Sequence, residues 1–333
     1  MLRLIQIAHP DHGRHIGLVS DDTVSILRGF ATAYEAARAA FDKRQPLAAL
    51  LGSLPVESAV SYDDIYQGRA PWTILVPLDH PAEPARCLVS GTGLTHLASA
   101  KARQKMHAAA VEQETDSMRM YRWGVEGGRP PAGKVGTAPE WFYKGSGLIL
   151  RAHGDPLEVP PYAEDGGEEP EIAGVYVIDD SGVPRRIGMA IGNEFSDHKT
   201  ERRNYLYLAP SKLRQCSLGP ELIVDPDFTC VPGTVGIERG GGTIWSKEIG
   251  SGEQRMSHSL ANLEHHHFKY PQHRRQGDVH VHFYGADAFS FGAGLELQDG
   301  DVMVIAFQGF GRPLRNAVRI WRESETPMVV QPA

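Results

Sequence analysis

Cysteine is scarce. Cys87, Cys216 and Cys230 are the three in 333 residues, and none belongs to a CxxC pair. An odd, scattered set gives no disulfide framework and suits a reducing compartment. No apolar run approaches the roughly 18 residues that a membrane-spanning helix needs. The start, MLRLIQIAHPDHGRHIG, reaches charge and proline too soon for a signal peptide, so a soluble, cytoplasmic protein is expected. Basic blocks are missing too: 34 Lys and Arg against 41 Asp and Glu give a net charge of −7. Nucleic acid and anionic membrane are therefore poor candidates as partners. There is no GxSxG elbow, P-loop or Rossmann fingerprint, no internal repeat and no low-complexity segment. Turn-formers are plentiful: 36 glycines and 23 prolines favour strands and turns over a helical bundle. With 41% apolar and 23% charged residues, the chain suits one large globular domain or two ordinary ones.

Residues 1–28 read as short strands, and 31–44 as an alanine-rich helix stopped near Pro46. These suggest a small α+β unit over 1–80. Pro71, Pro77, Pro81 and Pro84 lead into a main body over 81–333. There Arg86–Ser90 reads as a strand, Gly91-Thr92-Gly93 as a tight turn, and Leu94 to about Ala110 as a helix. Residues 112–138 read as a long irregular loop, and Arg119, Tyr121, Arg122 and Trp123 within it suggest a docked lid, with a surface insertion or dimer contact as the other reading.

The informative stretch is 167–194. Glu169 and Glu171 are two apart and share a strand face. Ile172–Ile178 is apolar on both faces, which argues for a buried strand. Asp179-Asp180-Ser181-Gly182 is a turn signature, and a second apolar run ends at Asn193-Glu194. A two-residue loop at Ser181-Gly182 sets Glu194 directly across from Glu169, and cross-strand and diagonal neighbours lie within about 5–8 Å. Three such carboxylates repel and resist desolvation, so some take up protons or a cation sits among them. An all-oxygen set suits Mg²⁺, Mn²⁺ or Ca²⁺ rather than zinc. The competing reading is an edge strand marked by Pro170, with its glutamates in solvent.

Other candidates are weaker. His265, His266 and His267 fan out by about 100° each on a helix and cannot all face one ion. His280 and His282 share a strand face but lack a nearby glutamate, since Gly285-Ala286-Asp287 follows. Lys144, among Trp141, Phe142 and Tyr143, either snorkels or is aimed at an anionic ligand. Lys212 could hold a carboxylate or, if desolvated, form a Schiff base.

Taken in order from about residue 86 to 316, several segments resemble the fumarylacetoacetate hydrolase superfamily. EPEIAGVYVI (169–178) resembles its metal-binding E-x-E strand, and GNEFSD (192–197) the segment carrying the third ligand, with Glu194 where aspartate is usual. FYKG (142–145) and SKLRQCSLGPELIV (211–224) match its lysine segments at Lys144 and Lys212. RMSHSLANLEHH, GDVHVHFYGAD and DGDVMVIAFQGFGRPLRN resemble its later elements. The resemblance implies an α+β, mainly β, mixed β-sandwich roll with a small N-terminal domain, a homodimer, and one divalent metal, Mg²⁺ foremost, on Glu169, Glu171 and Glu194.

The departures bear on chemistry. Hydrolytic members carry a His-x-x-Glu pair, whereas His96 here is followed by Ser99. They often have arginine four residues past the third ligand, where this chain has His198. These features look more like the lyase members, and most like the branch that dehydrates 2-keto-3-deoxy-pentonates in arabinose catabolism. The resemblance then implies Glu171 and Lys212 as catalytic, His96 as an acid or base near the entrance, and Lys144, Arg119 and Gly285 as holding a small keto acid. The alternatives are a C–C hydrolase of 2,4-diketo acids, with Glu114 replacing the missing glutamate, and a non-catalytic keto-acid-binding protein.

Overall fold

A computed structural model describes residues 1–107, the last three by backbone alone, and 114–333. Two sheets organise it. The larger runs through strands 56–61, 23–27, 13–20, 2–9, 222–224, 184–193, 170–178, 279–283, 87–93 and 140–146, in that order. The smaller orders strands 242–251, 231–239, 302–307, 314–320 and 157–159. The sheet is continuous across residue 80, because Leu2–His9 pairs antiparallel with Leu222–Val224.

Strand Pro170–Ile178 lies between two neighbours and is buried along its whole length. Its alternation feeds two cores. Ala173, Val175 and Val177 pack with Ala33, Ala36, Ala37 and Leu51 of the N-terminal helices. Ile172 joins Met189, Ile191, Ile223, Val235, Ile249 and Ile305 between the sheets. The alanine face of helix Ala33–Asp42 permits this close approach, and Thr32 caps it in a box with Glu35. The edge-strand alternative for Glu169 and Glu171 is therefore ruled out: both are buried beside a central strand.

Three local expectations change. Gly91-Thr92-Gly93 continues strand Cys87–Gly93 instead of turning. Its glycines serve close approach, since a Cβ at Gly91 would strike the Phe142 ring and one at Gly93 the Glu140 carboxylate. The irregular segment 112–138 contains helix Asp116–Gly127, capped by the Thr115 side chain. The helix expected over 94–110 is described as Leu97–His107, and its end near Ala110 lies outside the described residues. No described helix is long and apolar enough to cross a membrane.

Candidate metal centre

The hairpin register places the carboxylates as the spacing requires. Pro170 pairs with Asn193 and Glu171 with Gly192, and the Glu194 amide donates to the Glu169 carbonyl at 2.9 Å. The turn is longer than expected, closing from Asp179 to Val183, and a bulge at Val175/Tyr176 takes up the extra residue. Ligand-capable oxygens of Glu169, Glu171 and Glu194 lie within 4.8 Å of one another, the one such group among the described residues.

Two buried ammonium groups hold this set. Lys212 Nζ lies 2.6 Å from Glu169 Oε1, 2.7 Å from Glu194 Oε2 and 3.2 Å from Ser196 Oγ. Lys144 Nζ lies 2.6 Å from Glu194 Oε1, 2.6 Å from the Phe195 carbonyl and 3.1 Å from the Lys212 carbonyl. An ammonium has three N–H donors, so Lys144 is fully occupied inside the protein. It positions Glu194 and offers nothing to a substrate, contrary to expectation. Its aromatic neighbours belong to a buried site and not to a snorkelling stem.

The electrostatics differ at each glutamate. Burial pushes Glu169 up, but the Lys212 charge and the His198 contact outweigh it and hold the carboxyl well below its usual range. Burial drives Glu194 upward, and Lys144 and Lys212 only partly offset it. Glu171 is pushed well up by burial and by the charges of Glu194 and Glu169. Burial opposes the Lys212 charge, yet Glu169 and Glu194 raise its pKa above the ordinary lysine value. Held charged, Lys212 is unsuited to a Schiff base. Among the described residues, Glu171 alone of the three touches no cationic side chain; its partner is the Gly285 amide, 2.6 Å from Oε2. The donor set thus fits a hard divalent cation, which would relieve the one carboxylate the protein leaves uncompensated.

Gly285 itself has φ +103, and a Cβ there would meet Thr95 Oγ1 and the Thr92 carbonyl. Its amide is spent on Glu171, so it positions that carboxylate and is not free for a substrate. Arg119 bonds Asp116 at 2.6 Å on its own helix, is half exposed, and does not line the pocket at the glutamates. Glu114, proposed as a substitute acid, pairs with Arg122 at 3.1 and 3.2 Å in an exposed cluster. His96 is buried between lining residues Leu94 and Ser99 but is not among them. Its Nδ1 meets Thr95 Oγ1 at 2.9 Å, and burial pulls its pKa down to about 4, so the ring is neutral.

The pocket is lined by Glu169, Glu171, His198, Arg103, Glu201 and Phe289, with smaller groups around them. His198 stands 3.1 Å from Glu169 Oε1 and stacks on Phe289 and Phe291. Arg103 and Glu201 were not singled out from sequence. They lie on separate helices nearly 100 residues apart, and nothing local signals that they meet.

His267, His280 and His282 form a separate, buried group. His267 Nε2 meets His280 Nδ1 at 2.9 Å, and His282 bonds Ser90 and Thr92, each at 2.8 Å. These are ring-to-ring and ring-to-hydroxyl hydrogen bonds, not a ligand set. Of the consecutive three, His267 turns inward to this group, while His266 bonds the Gly136 carbonyl at 3.0 Å.

No family model matches the sequence, and no curated protein matches it. Solved structures do match in fold. A 2-keto-3-deoxy-D-arabinonate dehydratase complexed with magnesium and 2,5-dioxopentanoate superposes with TM-score 0.70 at 19% identity, covering 96% of this chain and 100% of that one. A 5-carboxymethyl-2-hydroxymuconate delta-isomerase from Mycobacterium smegmatis gives 0.57 at 18%, covering 96% and 100%. A 2-hydroxyhepta-2,4-diene-1,7-dioate isomerase from Mycobacterium marinum gives 0.59 at 15%, covering 97% and 100%. The mainly β α+β architecture is thus a fold shared with these proteins over nearly the full chain.

Proposed function

We propose that this chain is a divalent-metal-dependent hydro-lyase of the fumarylacetoacetate hydrolase superfamily. Its substrate is a 2-keto-3-deoxy sugar acid of the 2-keto-3-deoxy-arabinonate type, and its product 2-ketoglutarate semialdehyde. The observation that carries this reading is the convergence of three buried glutamates on one point, with no thiol or imidazole in the set. The fold likeness supports it: the dehydratase whose structure holds magnesium and 2,5-dioxopentanoate superposes more closely than the two isomerases.

Glu169, Glu171 and Glu194 would hold the cation, Mg²⁺ foremost and Mn²⁺ or Ca²⁺ as alternatives. When bound, it supplies Lewis acidity to the keto-acid end of the substrate. Glu171 places its carboxylate there, fixed by the Gly285 amide. Lys212 contributes a fixed positive charge beside the ligands, where charge develops as C3 loses its proton. The C3 proton and the C4 hydroxyl leave together as water. Proton shifts from C5 to C3, and from the resulting enol oxygen to C4, then yield the aldehyde. A homodimer, and a division into 1–80 and 81–333, belong to the same proposal.

The second reading is a C–C hydrolase of 2,4-diketo acids. One observation favours it: His198 and Glu201, one turn apart on a short helix, both line the pocket. Against it, His198 Nε2 is taken by Glu169 and Glu201 Oε1 by Arg103.

The test is turnover of 2-keto-3-deoxy-D- and L-arabinonate with Mg²⁺ and then with EDTA, following the aldehyde through a coupled dehydrogenase. Product that vanishes with chelator is the expected result. No product from a sample shown to bind Mg²⁺ rejects the dehydratase and moves the assay to 2,4-diketo acids. Binding without turnover on either class identifies a keto-acid-binding protein.

A further inference from the structure

A second ion cluster faces the pocket beside the glutamates. Arg103 Nη1 lies 2.7 and 2.8 Å from the two Glu140 oxygens, and its Nε lies 2.7 Å from Glu201 Oε1. The partners come from helix Leu97–His107, strand Glu140–Ser146 and helix His198–Arg203, so no local sequence requirement brings them together. Arg103 and Glu201 line the same pocket as Glu169 and Glu171. Among the described residues, neither Arg103 Nη2 nor Glu201 Oε2 has a hydrogen-bond partner, and neither is among the buried polar atoms left orphaned. Neither atom is therefore sealed off, and both residues line the pocket.

Two features of this wall select a ligand. One is its charge: a single guanidinium between two carboxylates leaves one negative charge in excess at this wall. The other is its hydrogen-bonding pattern, with an open donor, Nη2, next to an open acceptor, Oε2. A hydroxyl can accept from the first and donate to the second. A carboxylate only accepts, and would face Oε2 with two like charges in contact.

We infer that the Arg103–Glu201 pair is a specificity determinant, taking the hydroxyl-bearing end of a monocarboxylic 2-keto acid and rejecting a second carboxylate. Glu140 is a positioning residue that fixes Arg103 from behind. The inference rests on the keto-acid reading of the site and adds to it the selection at the end away from the keto acid.

The test is calorimetric binding to the Mg²⁺-loaded protein of three probes that cannot be dehydrated. Pyruvate reports the keto-acid end alone. 5-Hydroxy-2-oxopentanoate and 2-oxoglutarate have the same length and differ only in a terminal hydroxyl or carboxylate. The expected result is a Kd for 2-oxoglutarate weaker than that of the hydroxy acid by about tenfold or more. In Glu201→Gln that ratio falls by about tenfold while pyruvate binding stays the same. Equal binding of the matched pair by the unaltered protein overturns the inference without recourse to any variant, as does an unchanged ratio in a folded Glu201→Gln. Failure of pyruvate to bind in the presence of Mg²⁺ overturns the keto-acid reading itself.

Discussion

The amide of Gly285 donates to Glu171 Oε2 at 2.6 Å, and this is the contact that holds Glu171 in place. Glu169 and Glu194 each lean on lysine; Glu171 has only a peptide dipole, and two like charges for neighbours. The cluster is thus compensated on one side and open on the other.

Glu171→Gln keeps the amide contact and removes the uncompensated charge. The variant is expected to fold with a metal-free Tm no lower than that of the parent, because it loses repulsion and keeps its shape. It should lose turnover and, with it, the rise in Tm that Mg²⁺ gives the parent by binding the folded state. Thermal melts with and without Mg²⁺ check both halves; full activity in this variant removes the metal proposal.

Lys144→Met leaves Glu194 buried with one cation instead of two. Breaking one side of a buried ion pair costs about 3–5 kcal/mol. Denaturant unfolding of the metal-free protein should show a loss of that order. A change below about 1 kcal/mol, the size of an exposed pair, would contradict the burial of this contact.

Gly285→Ala tests the backbone. Holding a non-glycine residue at φ +103 costs about 1–3 kcal/mol, and the new methyl meets Thr95 Oγ1. The expected outcome is a lower Tm together with weaker Mg²⁺ binding, since the amide that aims Glu171 is displaced. Calorimetric Mg²⁺ titration separates this from simple destabilisation: a lowered Tm with unaltered metal affinity would break the link between the two residues.

The histidine group sets an acid limit. Burial pulls His280 and His282 down to about 3 and His267 well below the ordinary value. The unfolded chain therefore binds protons that the folded chain refuses once the pH drops below about 6.5. The stability these rings contribute is full above that value and declines as the pH falls toward about 3, by about 1 kcal/mol per pH unit for each such ring. Denaturation midpoints at pH 8, 6.5 and 5 should drop over the lower interval, and His280→Gln should flatten the slope. The raised carboxyls Glu171 and Glu194 titrate with the opposite sign in parent and variant alike, so an identical pH response in the parent and in a folded His280→Gln would remove the buried, neutral assignment.

What could be read beforehand follows from how far apart the interacting residues lie. Glu169, Glu171 and Glu194 were legible because strand alternation and one hairpin relate them within 26 residues, and the bulge at Val175/Tyr176 compensates the longer turn. The full occupation of Lys144 was not legible, since its acceptors are backbone carbonyls of Phe195 and Lys212, invisible to any residue pattern. Arg103, Glu140 and Glu201 met by tertiary packing alone. The aromatic and arginine content around Arg119 suggested a docked lid; the helix that begins at Asp116 and gives Arg119 a partner on its own surface was not legible there.

The pairing of Leu2–His9 with Leu222–Val224 has a consequence for synthesis. A nascent chain emerges N-terminus first, so about two-thirds of it must be made before its opening strand can find that partner. The strand that carries Glu171 waits too, for Val279–Phe283. Until then the apolar edges of both stand open on the ribosome. The glutamate cluster is thus ordered by contacts of large sequence separation, which a topology of this kind forms slowly.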